Sequence, residues 1–272
     1  MTDTSLSRAA FRPAVTGANG VLGRILCERL VAGGADVSRF SGDVRDLNSV
    51  LSWVQASRPS HLFHLAAKVP VDVVKEAPLA AFETNVLGTG HVLATVAKHS
   101  PECWTFVASS SHVYGSSNRP VAESANIAPA NIYGETKLAA DRIAQFFLER
   151  IQLRVCIGRI FSFYHATQRK PFLYPSIMER IASHDPKNDF ELRGGEDVRD
   201  LSKAEDVIGA ILALKDVAYT GVINIGSGRA TRIRDFVSLL GNGNLRIRVI
   251  QELAPTSLVA DVARLKKVLS ET

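Results

Sequence analysis

Pro13-Ala14-Val15-Thr16-Gly17-Ala18-Asn19-Gly20-Val21-Leu22-Gly23 is the stretch on which the fold turns. A short apolar run enters three glycines spaced GxxGxxG. Leu22, Ile25, Leu26, Leu30 and Val31 then recur at helical spacing, and Gly33-Gly34 stops the pattern. Strand, glycine turn and helix, in that order, make a phosphate cradle. Gly17 permits a tight turn, Gly20 lets backbone approach a pyrophosphate, and Gly23 lets helix pack on strand. The helix N-terminus offers unpaired N–H groups and positive potential to phosphate oxygens. The glycine spacing differs from the commoner GxGxxG, and a plain turn is the bland alternative. The strand–helix context favours cofactor binding.

Outward from this stretch, short apolar runs alternate with helical patterns. Strands are predicted near 36–40, 61–66, 104–109, 153–158, 222–225 and 245–250. Helices are predicted over 47–56, 80–99, 131–150, 176–182, 206–214 and 232–240. Such alternation predicts an α/β protein, a Rossmann-type doubly wound parallel sheet. Residues 1–12 read as a flexible tail and 13–160 as the dinucleotide-binding domain. Residues 161–272, interrupted by Pro171 and Pro175, read mainly as a small C-terminal substrate-binding region, with segments near 200–226 returning to the first domain.

The 272 residues are 46% apolar and 22% charged, enough for a sizeable core and too few charges for wholesale disorder. No apolar run reaches the ~20 residues of a membrane span, and the polar start does not resemble a signal peptide. A cytoplasmic protein without a membrane partner is expected. Cys27, Cys103 and Cys156 are scattered and read as buried thiols, and no metal-ligand spacing occurs. The net charge of +5 is spread along the chain. That distribution argues against a nucleic-acid partner; an anionic small molecule and a plain solvated surface both fit it.

Tyr133 and Lys137 stand four apart on a predicted helix and so share a face. A free phenol, pKa ~10, is a poor base at neutral pH, and a nearby ammonium is expected to pull it down. Ser109, Ser110 and Ser111 end the strand at 104–109, where doubly wound sheets place ligands. Either pattern alone is weak: a helical surface pair or a turn would explain it.

Together these residues resemble the extended short-chain dehydrogenase/reductases, the NAD-dependent epimerase/dehydratase family. TGxxGxxG, Gly42-Asp43-Val44-Arg45-Asp46, His64-Leu65-Ala66-Ala67, Thr84-Asn85-Val86, the Val113-Tyr114-Gly115 element and Arg159-Ile160-Phe161-Ser162 carry the likeness. So do Val198-Arg199-Asp200-Leu201 and Asn224-Ile225-Gly226-Ser227-Gly228. The resemblance implies a catalytic set of Ser110, Tyr133 and Lys137. It implies an NAD(P)(H) site formed by Gly17, Asn19, Gly20, Val21, Leu22, Gly23, Asp43, Val44, Leu65, Ala66, Ala67, Asn85 and Ser109 with Tyr133 and Lys137. Substrate contacts are expected from Lys68, Ser111, His112, Ser162 and Arg199. Ser162 departs from the family's asparagine, Arg199 is either a diphosphate contact or a surface residue, and His112 is either an acid or a polar pocket wall. Asp43 has an acidic helix neighbour, Asp46, whose bland role is a helix cap. The segment Val37-Ser38-Arg39-Phe40-Ser41 holds no carboxylate where NAD-preferring members carry one, and Arg39 and Arg24 suit a 2′-phosphate, so NADP(H) is slightly favoured.

The acid pair of sugar dehydratases is replaced by Ser111 and His112, which disfavours dehydration. The look of the chain is closest to reductases of 4-keto-6-deoxy nucleotide sugars, with epimerases close behind. A nucleotide-sugar substrate, a homodimer through the helices near 80–99 and 131–150, and a substrate lid either reduced or completed by another subunit are implied by the same likeness. A catalytically silent dinucleotide sensor is the reading of another class.

Overall fold

The computed structural model describes residues 11–69 and 71–271. Most of the tail expected over 1–12 lies outside the described residues. β1 (Pro13–Thr16), α1 (Val21–Ala32), β2 (Ser38–Arg39), α2 (Leu47–Ser57) and β3 (His61–His64) open the chain. They are followed by α3 (Val71–Glu76), α4 (Pro78–Phe82), a π-helical turn (Glu83–Leu87), α5 (Gly88–His99), β4 (Trp104–Ser110), α6 (Ile132–Glu149) and β5 (Val155–Ile160). β1, β4 and β5 are almost wholly buried, which is why they read as near-continuous apolar runs.

β6 (Ser162–Tyr164), α7 (Leu173–Ala182), β7 (Phe190–Arg193) and β8 (Val198–Lys203) come next. Then follow α8 (Ala204–Asp216), β9 (Gly221–Ile225), β10 (Ala230–Arg232), α9 (Ile233–Leu240), β11 (Ile247–Ile250), β12 (Ser257–Leu258) and α10 (Ala263–Ser270). The main sheet is parallel throughout, in the order β2-β1-β3-β4-β5-β9. Leu26 and Leu30 of α1 and Ile208 and Ile211 of α8 cover one face. Val50 and Val54 of α2, Val92 and Val96 of α5, and Ala144 of α6 cover the other. The architecture is the doubly wound α/β sandwich expected.

The chain steps from β1 outward to β2, then back past β1 to β3. The order therefore reverses between β1 and β3, and the crevice beyond their carboxyl ends is where such sheets take ligands. Gly17 and Ala66 meet there. β8 is the centre of a second small sheet, pairing β10, β12 and β6, while β11 pairs β7. Ile177, Phe190, Leu192, Ile233 and Val237 form a separate core under these strands.

The helix expected over 80–99 is not continuous. A π-helical turn separates α4 from α5, and the Thr84 hydroxyl donates to the Ala80 carbonyl at 2.9 Å, a back-bond that favours local bending. The turn brings Asn85 into the interior, where it is wholly buried. The strand expected near 36–40 shrinks to two residues at the sheet edge.

Candidate active site

The glycine turn is built by close approach. Gly17 has φ +69°, and a Cβ there would lie 2.6 Å from the Ala66 nitrogen. A Cβ on Gly23 would run into the Gly17 carbonyl. Gly20 differs: a Cβ there would meet nothing nearer than the Gly17 carbonyl, at 3.3 Å. Asn19 and Gly20 are exposed above the turn. α1 starts at Gly20 with no side-chain cap and no acidic residue in its first turn. By contrast, Asp46 caps α2 and Asn131 caps α6. Val21, Leu22 and Gly23 thus present first-turn N–H groups that the helix cannot pair. An uncapped, positive helix end over an open glycine fits a bound pyrophosphate.

A buried polar chain fastens this turn to the rest of the site. The Ala66 N–H donates to Thr16 Oγ1 at 3.3 Å, and Thr16 Oγ1 lies 2.8 Å from His64 Nδ1. His64 Nε2 lies 3.0 Å from Thr89 Oγ1, whose own proton goes to the Asn85 carbonyl at 2.7 Å. Thr89 must then accept from His64, so Nε2 carries the imidazole proton and Thr16 donates to Nδ1. Burial and the Lys137 ammonium hold His64 down to about 3, a neutral ring. Asn85 Oδ1 accepts from the Lys68 N–H at 2.8 Å, and its Nδ2 donates to the Lys68 carbonyl and to Thr136 Oγ1, both at 3.0 Å. Asn85 therefore ties the Lys68 backbone to α6.

Leu65, Ala66 and Ala67 line the end of β3, partly buried. Val44 is buried and its carbonyl accepts from His91 Nδ1 at 3.1 Å. Asp43 sits exposed, its carboxylate gripped by Arg45 Nε at 2.8 and 3.0 Å, and the Arg45 side chain holds this carboxyl below its ordinary range.

Ser110 ends β4 and accepts from the His112 N–H at 3.2 Å. Tyr133 and Lys137 lie one turn apart on α6, both buried. Burial pushes the Tyr133 phenol up to about 12, and a hydrogen bond from Ser110 pulls weakly the other way. Lys137 is brought down to about 8 by burial, partly offset by Asp141. Its Nζ donates to the Ala108 carbonyl at 2.6 Å. The sequence expectation that Lys137 lowers the phenol is corrected here: in a buried site desolvation dominates, and the ammonium faces β4.

Ser109, expected at the cofactor, turns its hydroxyl to Asp141 Oδ2 at 2.7 Å. Asp141 also holds Arg159, Nε to Oδ2 at 3.0 Å, with both side chains almost completely buried. Arg159 donates to the Tyr114 hydroxyl at 2.9 Å, which donates to Asn224 Oδ1 at 2.8 Å.

On the substrate side, Asn131 Oδ1 caps α6 by accepting from the Gly134 N–H at 2.9 Å. Its Nδ2 lies 3.4 Å from His112 Nδ1. The His112 ring stands edge-on to Tyr133, centroids 5.3 Å apart. Burial and then the Arg199 guanidinium hold His112 below its ordinary pKa, so Arg199 of β8 lies within electrostatic reach of the Ser110–Tyr133 end. Arg199 donates to Thr256 Oγ1 at 2.8 Å and pairs with Asp197 at 3.3 Å. Ser111 is buried, and Ser162 is half-buried in β6 opposite Leu201. Among the described residues, no cluster of three or more His, Cys, Asp or Glu is placed to hold a metal.

Sequence reading quoted Thr16, His64 and Arg159 within its motifs but gave them no role, and it missed Thr89, Thr136, Asn131 and Asp141 as parts of the site's frame. Asn131 carried a signal, an Asx residue opening a helix. The others sit in apolar or helical patterns that read as core.

A family profile described as GDP-mannose 4,6 dehydratase matches residues 36–268. The UDP-glucose 4-epimerase of Mycoplasma genitalium is 26% identical over 256 residues, covering 84% of this chain and 75% of that protein. The solved structure described as MoeE5 in complex with UDP-glucuronic acid and NAD is 28% identical, with TM-score 0.82 over 95% of this chain and 92% of that one. RMD from Pseudomonas aeruginosa, complexed with NADPH, shares the fold at 23% identity, with TM-score 0.85 over 96% and 93% of the two chains.

Proposed function

From its membership of the GDP-mannose 4,6 dehydratase family, to which this chain belongs, we propose that it is an NAD(P)-dependent oxidoreductase reducing a 4-keto-6-deoxy nucleotide sugar. The family's relatives here are nucleotide-sugar enzymes of the short-chain dehydrogenase/reductase type. The observation that carries the reductive reading is the make-up of the site: His112 packs against Tyr133, and Ser111 and His112 follow Ser110 where a dehydrating site carries acids. With its phenol pushed up to about 12, Tyr133 holds its proton at neutral pH. A ketone accepting hydride needs that proton on its oxygen. A nicotinamide cofactor, when bound, supplies the hydride.

Tyr133 is assigned the proton delivery to the new hydroxyl, and Ser110 the orientation of that oxygen. Lys137 is assigned a positive charge beside the cofactor. Gly17, Asn19, Gly20, Val21, Leu22 and Gly23 are assigned the pyrophosphate, and Asp43, Val44, Leu65, Ala66 and Ala67 the rest of the cofactor. Arg199, His112, Ser111, Ser162 and Lys68 are assigned to the substrate. The position after Ser110 carries no carboxylate, in keeping with reduction rather than loss of water.

NADP(H) is the proposed preference. β2 ends at Arg39, opposite Val15, and neither Phe40 nor Ser41 after it is an acid that could take a ribose hydroxyl. A homodimer through the segments 80–99 and 131–150 is supported by the exposed Phe82 and Leu87 in the first and Phe146 in the second. Three free, buried cysteines accord with a reducing compartment, the cytoplasm.

The test is incubation with NADPH and a panel of 4-keto-6-deoxy sugar nucleotides. A reductase consumes NADPH in step with product. A second reading, a nucleotide-sugar 4-epimerase, is favoured by the relative from Mycoplasma genitalium named above. It predicts interconversion of UDP-sugars with no net change in cofactor.

A further inference from the structure

We propose that His112 meets the substrate as a neutral imidazole donating from Nε2–H, and that Asn131 is the positioning residue that sets this tautomer. The site is the one read above as a nucleotide-sugar pocket, and the inference rests on that reading for its ligand: an oxygen acceptor of a sugar.

Asn131 does two things with one amide. Its Oδ1 is committed to the Gly134 N–H at the start of α6, 2.9 Å away. The amide cannot then be turned over without losing the helix cap. Its NH2 group is what faces His112 Nδ1, at 3.4 Å. An amide NH2 has only protons to give, so Nδ1 must present a lone pair. In a neutral ring the proton is then on Nε2.

The surroundings oppose a second proton. Burial and then the Arg199 guanidinium from β8 disfavour the imidazolium, and together they outweigh the smaller opposite pull of the Asn131 hydrogen bond. From α6 the ring faces Tyr133, itself a neutral phenol, at 5.3 Å. No carboxylate contributes to the ring's titration. Nε2 makes no hydrogen bond to the protein among the described residues, yet it is not sealed from solvent, since the one buried unpartnered side-chain nitrogen or oxygen is His99 Nε2. A donor is therefore left open beside Tyr133, on a residue whose own N–H is bonded to Ser110.

The chemical consequence is directional. Nε2–H can steady a sugar oxygen while Tyr133 exchanges a proton. It has no lone pair on Nε2 with which to take a proton from carbon. His112 in this tautomer is a donor where an eliminating site needs a base.

The test uses the full chain with 15N-labelled histidine. The imidazole signals of His112 are assigned by their loss in His112→Gln. Wild type is expected to show protonated Nε2 and bare Nδ1 at neutral pH. Asn131→Asp keeps a capping oxygen but replaces the NH2 by a carboxylate. It is expected to move the proton to Nδ1 and raise the ring's pKa by about one unit or more. With a nucleotide sugar, His112→Gln, which retains an N–H donor, is expected to stay within ~5-fold of wild type in kcat/KM, whereas His112→Leu falls by ~10-fold or more. An Nδ1–H or doubly protonated ring in wild type overturns the proposal. So does an unchanged tautomer in Asn131→Asp, or equal kcat/KM for His112→Leu and wild type. If no nucleotide sugar is turned over, the proposed function fails, while the spectra still decide the tautomer.

Discussion

Lys137 Nζ donates to the main-chain carbonyl of Ala108 at 2.6 Å, which anchors the ammonium to β4 from its place on α6. The bond holds a buried cation whose pKa falls from 10.5 to about 8 through burial. The folded pKa lies below the unfolded one, so the unfolded chain binds the proton more tightly between those values. Stability is thus depressed fully below pH ~8 and recovers as pH rises toward ~10.5. Lys137→Met should raise unfolding free energy at pH 7 by roughly 1–2 kcal/mol, the desolvation relief less the lost Ala108 bond. The gain should shrink by pH ~10. Urea unfolding of both proteins at the two pH values measures it; a variant less stable than wild type at pH 7 would sink the idea.

Tyr133 is protonated in the free chain because burial outweighs the Ser110 hydrogen bond. No tyrosinate absorbance from this residue is expected below pH ~11, and a difference titration of wild type against Tyr133→Phe reads it directly. The same variant should lose ~10²–10⁴-fold in turnover with little change in melting temperature. It should still bind cofactor. Unchanged output with intact cofactor binding would instead mark the chain as a silent dinucleotide sensor.

The main sheet was legible because its strands are buried on both faces and its helices cover them with one apolar stripe each. Val15, Phe63, Phe106 and Ile157 give runs that a single chain displays. The candidate triplet of Ser110, Tyr133 and Lys137 came from the family resemblance, with the i, i+4 spacing of Tyr133 and Lys137 in support. What stayed hidden was set by partners distant in sequence. Nothing in the run around His64 shows that Thr16 and Thr89 will enclose it. Nothing in Ser109 shows that Asp141, 32 residues on, will take its hydroxyl. β6, β10 and β12 are two or three residues long and partly exposed, so no periodicity marks them. The direction of the Tyr133 shift escaped for a like reason: i, i+4 spacing shows proximity, while burial depends on the whole fold.

Asp141 and Arg159 form an ion pair whose removal from one side leaves a buried charge alone. Asp141→Asn keeps the shape and removes the charge, and it also weakens the hold on Ser109 and Gln145. A loss of about 3 kcal/mol is expected. Arg159→Met alone should cost a similar amount, and the Asp141→Asn/Arg159→Met double variant less than the sum. Denaturant midpoints for the four proteins form the cycle. Additive losses would show that the pair is not coupled.

Gly20 and Gly23 stand three residues apart in one turn and should fail in different ways. At Gly23 a side chain would collide with the Gly17 carbonyl, a backbone atom that cannot swing aside. Gly23→Ala must push α1 off β1 and should cost about 1–3 kcal/mol, some 3–10 °C in melting temperature for a chain of this size. At Gly20 a new Cβ would meet the same carbonyl from 3.3 Å, a tight contact that a shift of a few tenths of an ångström relieves, and the φ of −72° suits any residue. Gly20→Ala should therefore melt near wild type. Its methyl group stands where phosphate oxygens would approach the first-turn N–H groups, so the upward melting shift caused by NADPH should shrink or vanish. Thermal melts of both variants with and without NADPH separate a packing glycine from a binding one. A Gly20→Ala protein with the full NADPH shift would place the cofactor elsewhere than over this turn.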